Sequence, residues 1–244
     1  MRINHNIAAL NTHRQLNTAS TAQSKSMEKL SSGLKINRAG DDAAGLAISE
    51  KMRNQIRGME QGSRNAQDGI SLIQTAEGAL NETHAMLQRM AELYTQAANG
   101  TQTTTDNAEI DKEIAQLSAQ INDIATQTKF NTKNILDGTV ASVDFQVGAN
   151  SGEKITLTLS DNKAATLGVD VSAAGLAALD GTNATATANL AKVQTAINTV
   201  SSNRSNLGAV QNRLEHSINN LNNGAENLTA AESRIRDVDY ALAA

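Results

Sequence analysis

The sequence predicts a mainly α protein, an elongated antiparallel helical bundle with coiled-coil seams and a small β-hairpin region, and three observations carry that expectation. Apolar residues recur in alternating steps of three and four through long stretches of both halves of the chain. Aromatic residues make up only 2% of the 244, two Phe and two Tyr, with no Trp and no Pro. A core of Ala, Leu, Ile, Val and Met suits narrow helix-helix seams better than a thick rounded interior. One stretch only, Val140 to Leu159, switches to a period of two.

Residues 1–41 carry Ile3, Ile7, Leu10, Leu16, Met27, Leu30 and Leu34 thinly among Asn, Thr, Ser and Gln. Such a helix is marginal alone, so it needs a partner. It runs into SSGLKINRAGDD, where Gly33 and Gly40 flank a short link and Asp41 and Asp42 are placed to accept the free N–H groups of the next helix. Arg38, Gly40, Asp41 and Asp42 therefore read as a joint between two rods, combined with a helix cap.

Residues 42–139 form the first part of a helical core. Ile73, Ala76, Leu80, Thr83, Leu87, Met90, Tyr94 and Ala97 make a heptad seam, and Leu72, Ala79, Met86 and Leu93 a second row beside it. The two rows predict a helix from about Asp42 to Ala98, with interruptions, that contacts two neighbours. AANGTQTTTDN then breaks the pattern, with Asp106 placed as a cap. Ile110, Ile114, Leu117, Ile121 and Ile124 predict an antiparallel helix ending near Thr128.

Within residues 140–189, Val143, Phe145 and Val147 alternate with polar residues, GANSGE supplies a turn, and Ile155, Leu157 and Leu159 alternate again. After this hairpin, residues 160–188 read as a short variable insertion of weak structure. From Leu190 through Val193, Leu207, Leu214 and Leu228 to Val238, one helix of about 50 residues, roughly 75 Å long at ~1.5 Å per residue, is expected to pair with the earlier rod along the whole seam. Residues 239–244 are a short end.

Several function classes drop out. A net charge of −4 with scattered Lys and Arg gives no basic stripe for nucleic acid. No apolar run approaches the roughly 18 residues of a membrane span, so no membrane insertion is expected, and MRINHNIAALN has no apolar core of a cleaved signal peptide. Cysteine is absent, which excludes disulfides and thiolate chemistry. His5, His13, His84 and His216 lack metal-ligand spacing, and GDDAAG has no lysine to reach a phosphate. The sequence thus predicts no active site, no metal and no cofactor: not an enzyme. Sequons at Asn81, Asn99, Asn183, Asn203 and Asn227 are what so much Asn and Thr produces by chance.

MRINHNIAALNT, KLSSGLKINRAGDDAAGLAISEKMR, NAQDGISLIQTAEGAL, LGAVQNRLEHSINNL and ENLTAAESRIRDVDYA closely resemble bacterial flagellin, over residues 1 to about 139 and 190 to 241. The resemblance implies an extracellular structural subunit of the flagellar filament, used in motility. It also implies export through the flagellar secretion system with an export chaperone and without a cleaved signal peptide, followed by polymerisation with identical subunits. The first helix would line the filament's inner tube, and the joint at Arg38, Gly40, Asp41 and Asp42 would be the spoke to the outer layer. Flagellins ordinarily continue past the RDVDYA motif into a C-terminal inner helix, so the chain as it stands is expected to be a short type without it. The corresponding alternative is a monomer acting only as an immune-receptor ligand or decoy. LQRMAEL, residues 87–93, resembles the segment that Toll-like innate immune receptors bind: Gln88, Arg89, Glu92 and Leu93 match, and Ala91 stands where the family has a second arginine. The plainer reading of the same stretch is a solvated helix face, or a surface buried between subunits.

Overall fold

The computed structural model describes residues 6–171 and 175–243. In chain order the elements are α1 (Ile7–Ser32), α2 (Ala43–Ala97), α3 (Thr104–Gln127), β1 (Lys129–Phe130), β2 (Lys133–Asn134), β3 (Ser142–Gln146), β4 (Lys154–Thr158), α4 (Ala164–Leu167), α5 (Asn183–Arg236) and α6 (Tyr240–Ala243). The chain divides into two compact units, Met1–Glu60 with Leu221–Ala244, and Gln61–Asn220. The division falls inside α2 and α5. It does not follow the consecutive segments expected from sequence, because residues far apart in the chain pair with each other within each unit.

In the first unit, α1 starts on Asn6, whose side chain accepts from the Ala9 amide at 3.3 Å. It stops at Gly33, where φ of 72° suits a residue without Cβ and the amide donates to Lys29 O. Its apolar residues are too sparse to make a buried face, and none of α1 is buried. The first turns of α2 lie antiparallel to the last turns of α5: Arg53 pairs with Glu232 at 2.9 Å and Arg236 with Glu50 at 3.1 Å. Between these ends, Met59 Sδ crosses close to Gly224, 3.2 Å from where a Cβ would stand.

The second unit holds the larger core, built from α2, α3, α5 and the strands around Ile73, Leu80, Leu87, Met90, Tyr94, Ile114, Ile121 and Leu214. The heptad positions of α2 from Ile73 to Ala97 are all buried. Here α2 and α5 again run antiparallel, with Arg204 near Glu77 and Asn183 Nδ2 donating to Ala98 O at 2.7 Å. The helix α2 is continuous over 55 residues, without the expected interruptions. Two of its glycines are packing devices: a Cβ on Gly62 would lie 2.8 Å from the Val147 backbone, and one on Gly69 would lie 3.2 Å from both Phe145 and Leu214. The face of α2 bearing Gly62, Asn65 and Gly69 is thus where the hairpin docks, and Asn65 Nδ2 donates to Gln146 O at 2.9 Å.

The β3–β4 hairpin pairs Val143 with Leu157 and Phe145 with Ile155, as the period of two requires. Phe145, Ile155 and Leu157 face inward and are buried. The cap of α3 is Thr103, with Asp106 three residues in completing a capping box, so Asp106 supports the cap without being it. A small β1–β2 pair precedes the hairpin, turning at Asn131 and Thr132 with φ of 46° and 66°.

The described part of residues 160–188 is more ordered than expected: Leu167, Val169 and Leu176 are buried, and α5 begins at Asn183 because Ala186 and Asn189 carry its buried face back beyond Leu190. Aspartate side chains shape this stretch, Asp161 accepting from the Lys163 amide at 3.0 Å and Asp180 from the Thr182 amide at 2.9 Å.

Candidate functional site

The expected joint lies in the first unit and is tied from two directions. Residues 33–35 pair with the chain just past α5: Lys35 N donates to Arg236 O at 2.7 Å, Val238 N donates to Gly33 O at 3.0 Å, and Leu34 faces Asp237 as an antiparallel bridge. Val238, expected at the end of the long helix, belongs to this clasp because α5 stops at Arg236. Ile36 is buried, and the missing side chain of Gly45 lets the first turn of α2 close over its Cδ1.

The four predicted joint residues divide their work. Asp42 Oδ1 accepts from the Gly45 amide at 2.9 Å, the capping bond expected of it. Asp41 does not cap α2; its Oδ2 accepts from the Arg38 amide at 3.1 Å and the Asn37 amide at 3.3 Å, closing the turn before the helix. Those donors, the Arg38 amide first, hold the Asp41 carboxyl below its ordinary value, with Lys29 and Lys25 adding to the effect. Arg38 turns back to α1 and reaches Glu28 Oε1 at 3.1 Å through Nε. At Gly40 no atom stands within 4 Å of where a Cβ would lie. The short helix α6 returns towards α1, with Tyr240 Oη donating to Leu30 O at 3.4 Å.

The second candidate surface is on α2 in the larger unit. Gln88, Arg89 and Glu92 are exposed, whereas Leu93, the fourth matched residue, is 2% exposed and belongs to the core. Leu93 falls on the buried side because it continues the seven-residue row of Leu72 and Met86. Arg89 donates to Glu113 of α3 at 2.9 Å and to Glu92 at 3.2 Å; the Glu113 bond, then the Glu92 bond, push its guanidinium further up. Gln88 lies 3.1 Å from His84 Nε2. Gln88, Glu92, Leu190, Gln194 and Ile197 line an open groove of about 810 Å³ between α2 and α5.

Sequence reasoning missed the polar cluster beside the hairpin. Asp137 accepts from Asn134 Nδ2 at 2.7 Å and from the Thr139 amide and hydroxyl at 3.0 and 2.6 Å. The Thr139 hydroxyl, then Asn134 and the Thr139 amide, hold its carboxyl at about 2. Nearby, Asn203 of α5 donates to Asn162 Oδ1 at 2.9 Å, and the Asn162 amide donates to Leu136 O. The LDGT turn around Asp137 is the signal that could have found it. Burial, then the charge of Asp111, push the Tyr94 hydroxyl up. Ile3 and His5 of the N-terminal motif, and Ala244, lie outside the described residues. Among the described residues no cluster of His, Asp and Glu is arranged to hold a metal, and no helix is long and apolar enough to cross a membrane.

Long antiparallel helices and a backbone clasp define a mainly helical protein with a small β-hairpin. The description "Bacterial flagellin N-terminal helical region" matches residues 3–141, and "Bacterial flagellin C-terminal helical region" matches residues 190–244. The chain is 55% identical to a flagellin of Bacillus subtilis strain 168, over 99% of this chain and 88% of that one. It is 57% identical to a flagellin of Halalkalibacterium halodurans, over 99% and 87%. The crystal structure of Bacillus cereus flagellin superposes with a TM-score of 0.57 at 37% identity, covering 69% of this chain and 94% of that one. The chain belongs to the bacterial flagellin family, whose members are structural proteins and not enzymes.

Proposed function

We propose that this flagellin is a structural subunit of the extracellular flagellar filament, polymerising with identical copies through its helices. The observation that carries the mode of assembly is α1. Ile7, Leu10, Leu16 and Met27 are 67%, 59%, 68% and 63% exposed. At ~100° per residue, Leu16 and Met27 share one side of the helix and Ile7 and Leu10 project from the other. A lone helix of this composition gains little from burial, and apolar groups on opposite sides call for neighbours on both. Identical copies are the partner that family membership supplies.

The joint fits the same reading, since the Arg38–Asp42 turn and the 33–35 clasp fix where α1 joins the rest of the first unit. Export through the flagellum's own secretion channel, with an export chaperone, belongs to it too; a chain without cysteine or proline offers no disulfide or slow prolyl step on refolding outside the cell. The exposed Gln88, Arg89 and Glu92 are the residues a Toll-like receptor would reach, with Leu93 contributing only as packing beneath them.

Seeding the purified protein with filament fragments and following growth by electron microscopy tests the assembly. Elongation of the seeds is expected. Persistent monomers under conditions that extend the Bacillus subtilis relative would overturn it.

A further inference from the structure

Backbone glycine next to asparagine or aspartate is a chemical hazard. The glycine nitrogen can attack the preceding side-chain carbonyl carbon, because no Cβ shields it. The chain contains Asn–Gly at 99–100 and 223–224, and Asp–Gly at 68–69, 137–138 and 180–181. The fold treats these five pairs very differently.

Four are restrained. Asn223–Gly224 lies inside α5, where the helical ladder engages the glycine nitrogen and Met59 Sδ packs against the glycine. Asp68–Gly69 lies inside α2, with Phe145 and Leu214 closing over Gly69. The Asp137 carboxylate is held by Asn134 and Thr139, and that of Asp180 by the Thr182 amide and hydroxyl. Hydrogen bonding also keeps both carboxyls below their ordinary value, so they stay ionised and resist nucleophilic attack.

Asn99–Gly100 has none of these restraints. It stands in the connection between α2 and α3, with both residues exposed. Asn99 uses its backbone, donating to Gln96 O at 3.1 Å and accepting from Gln102 N at 3.2 Å. Among the described residues its side-chain amide has no hydrogen-bond partner, and neither has the Gly100 amide. No atom stands within 4 Å of where a Gly100 Cβ would lie. Electrophile and nucleophile are adjacent and unengaged.

We propose that Asn99 is a self-modification site, converting without an enzyme to aspartate and isoaspartate. The Gly100 nitrogen forms a bond to Asn99 Cγ and the Cγ–Nδ2 bond breaks. The side-chain nitrogen departs as ammonia, taking up the proton released from Gly100 N. Water then opens the resulting five-membered imide at one carbonyl or the other. The product carries a carboxylate just beyond the C-terminus of α2, where the helix dipole is negative and Ala98 O already accepts from Asn183. In the isoaspartate form the main chain gains a methylene inside the turn that leads to Thr103. The modified subunit is one charge more negative than −4.

The test is peptide mass spectrometry of the folded, full-length protein during incubation in mildly alkaline buffer, with Asn223 as internal reference. The Asn99 peptide is expected to convert about tenfold or more faster than the Asn223 peptide, and the two rates to converge in denaturant. Gly100→Ala, which meets no atom in the fold, is expected to slow Asn99 by about tenfold or more. Equal rates at the two asparagines in the folded protein, or unchanged conversion in Gly100→Ala, would overturn the proposal.

Discussion

Gly62 and Gly78 occupy interior positions of the same helix, and one added methyl should act on them in opposite directions. At Gly62 a Cβ would meet the Val147 backbone at 2.8 Å, whereas at Gly78 it would meet nothing within 4 Å. Gly62→Ala is expected to cost about 1–3 kcal/mol through forced separation of α2 and the hairpin, and Gly78→Ala to gain about 0.5–1 kcal/mol from backbone entropy. Urea denaturation of the two variants checks both signs. Asp137 supplies a pH dependence. Its folded-state carboxyl sits at about 2 against an ordinary 3.8, so the stability it contributes is complete above the ordinary value and lost as pH falls towards about 2. Asp137→Asn should therefore lie well below the parent in urea midpoint at about pH 6 and close to it at about pH 2. A gap that stays constant with pH would remove Asp137 from this role.

Among the elements, α3 owes its sharp start to the Thr103 hydroxyl, which accepts from the Asp106 amide at 3.2 Å while the Asp106 carboxylate accepts from the Thr103 amide at 2.9 Å. Thr103→Ala is expected to cost about 1 kcal/mol, with thermal unfolding as the readout; no change in Tm would show that the α2–α3 connection fixes the helix start by itself. The long helices and the β3–β4 hairpin were legible in the sequence because both express a period over many residues. What escaped was set partly by contacts between distant residues and partly by local turns. Interruptions were expected in α2, yet it runs unbroken, and the hairpin backbone comes close enough to Gly62 to leave no room for a Cβ there. The β1–β2 turn was missed because Thr132, at φ 66°, is not a residue that announces a left-handed turn. In residues 160–188 the burial of Leu167, Val169 and Leu176 follows from aspartate turns, which leave no periodic trace. The joint was legible as punctuation, yet the split between Asp42 as cap and Asp41 as turn lock depends on a tertiary arrangement. Leu93 matched a motif in letters while heptad geometry turned it inward.

For the whole molecule, the test of self-association is a change on α1 that leaves both compact units intact. Leu16 is 68% exposed, so Leu16→Glu removes no packing within the subunit. It is expected to abolish seeded filament growth while circular dichroism keeps its helical signal and the unfolding free energy from urea denaturation stays within about 0.5 kcal/mol of the parent. Filaments that lengthen at the parental rate would remove that side of α1 from the assembly contacts. The clasp carries one more consequence. Its first strand, at Gly33–Lys35, leaves the ribosome early, and its second, at Arg236–Val238, only after some two hundred further residues. A nascent chain therefore cannot close its own joint until Val238 has been made.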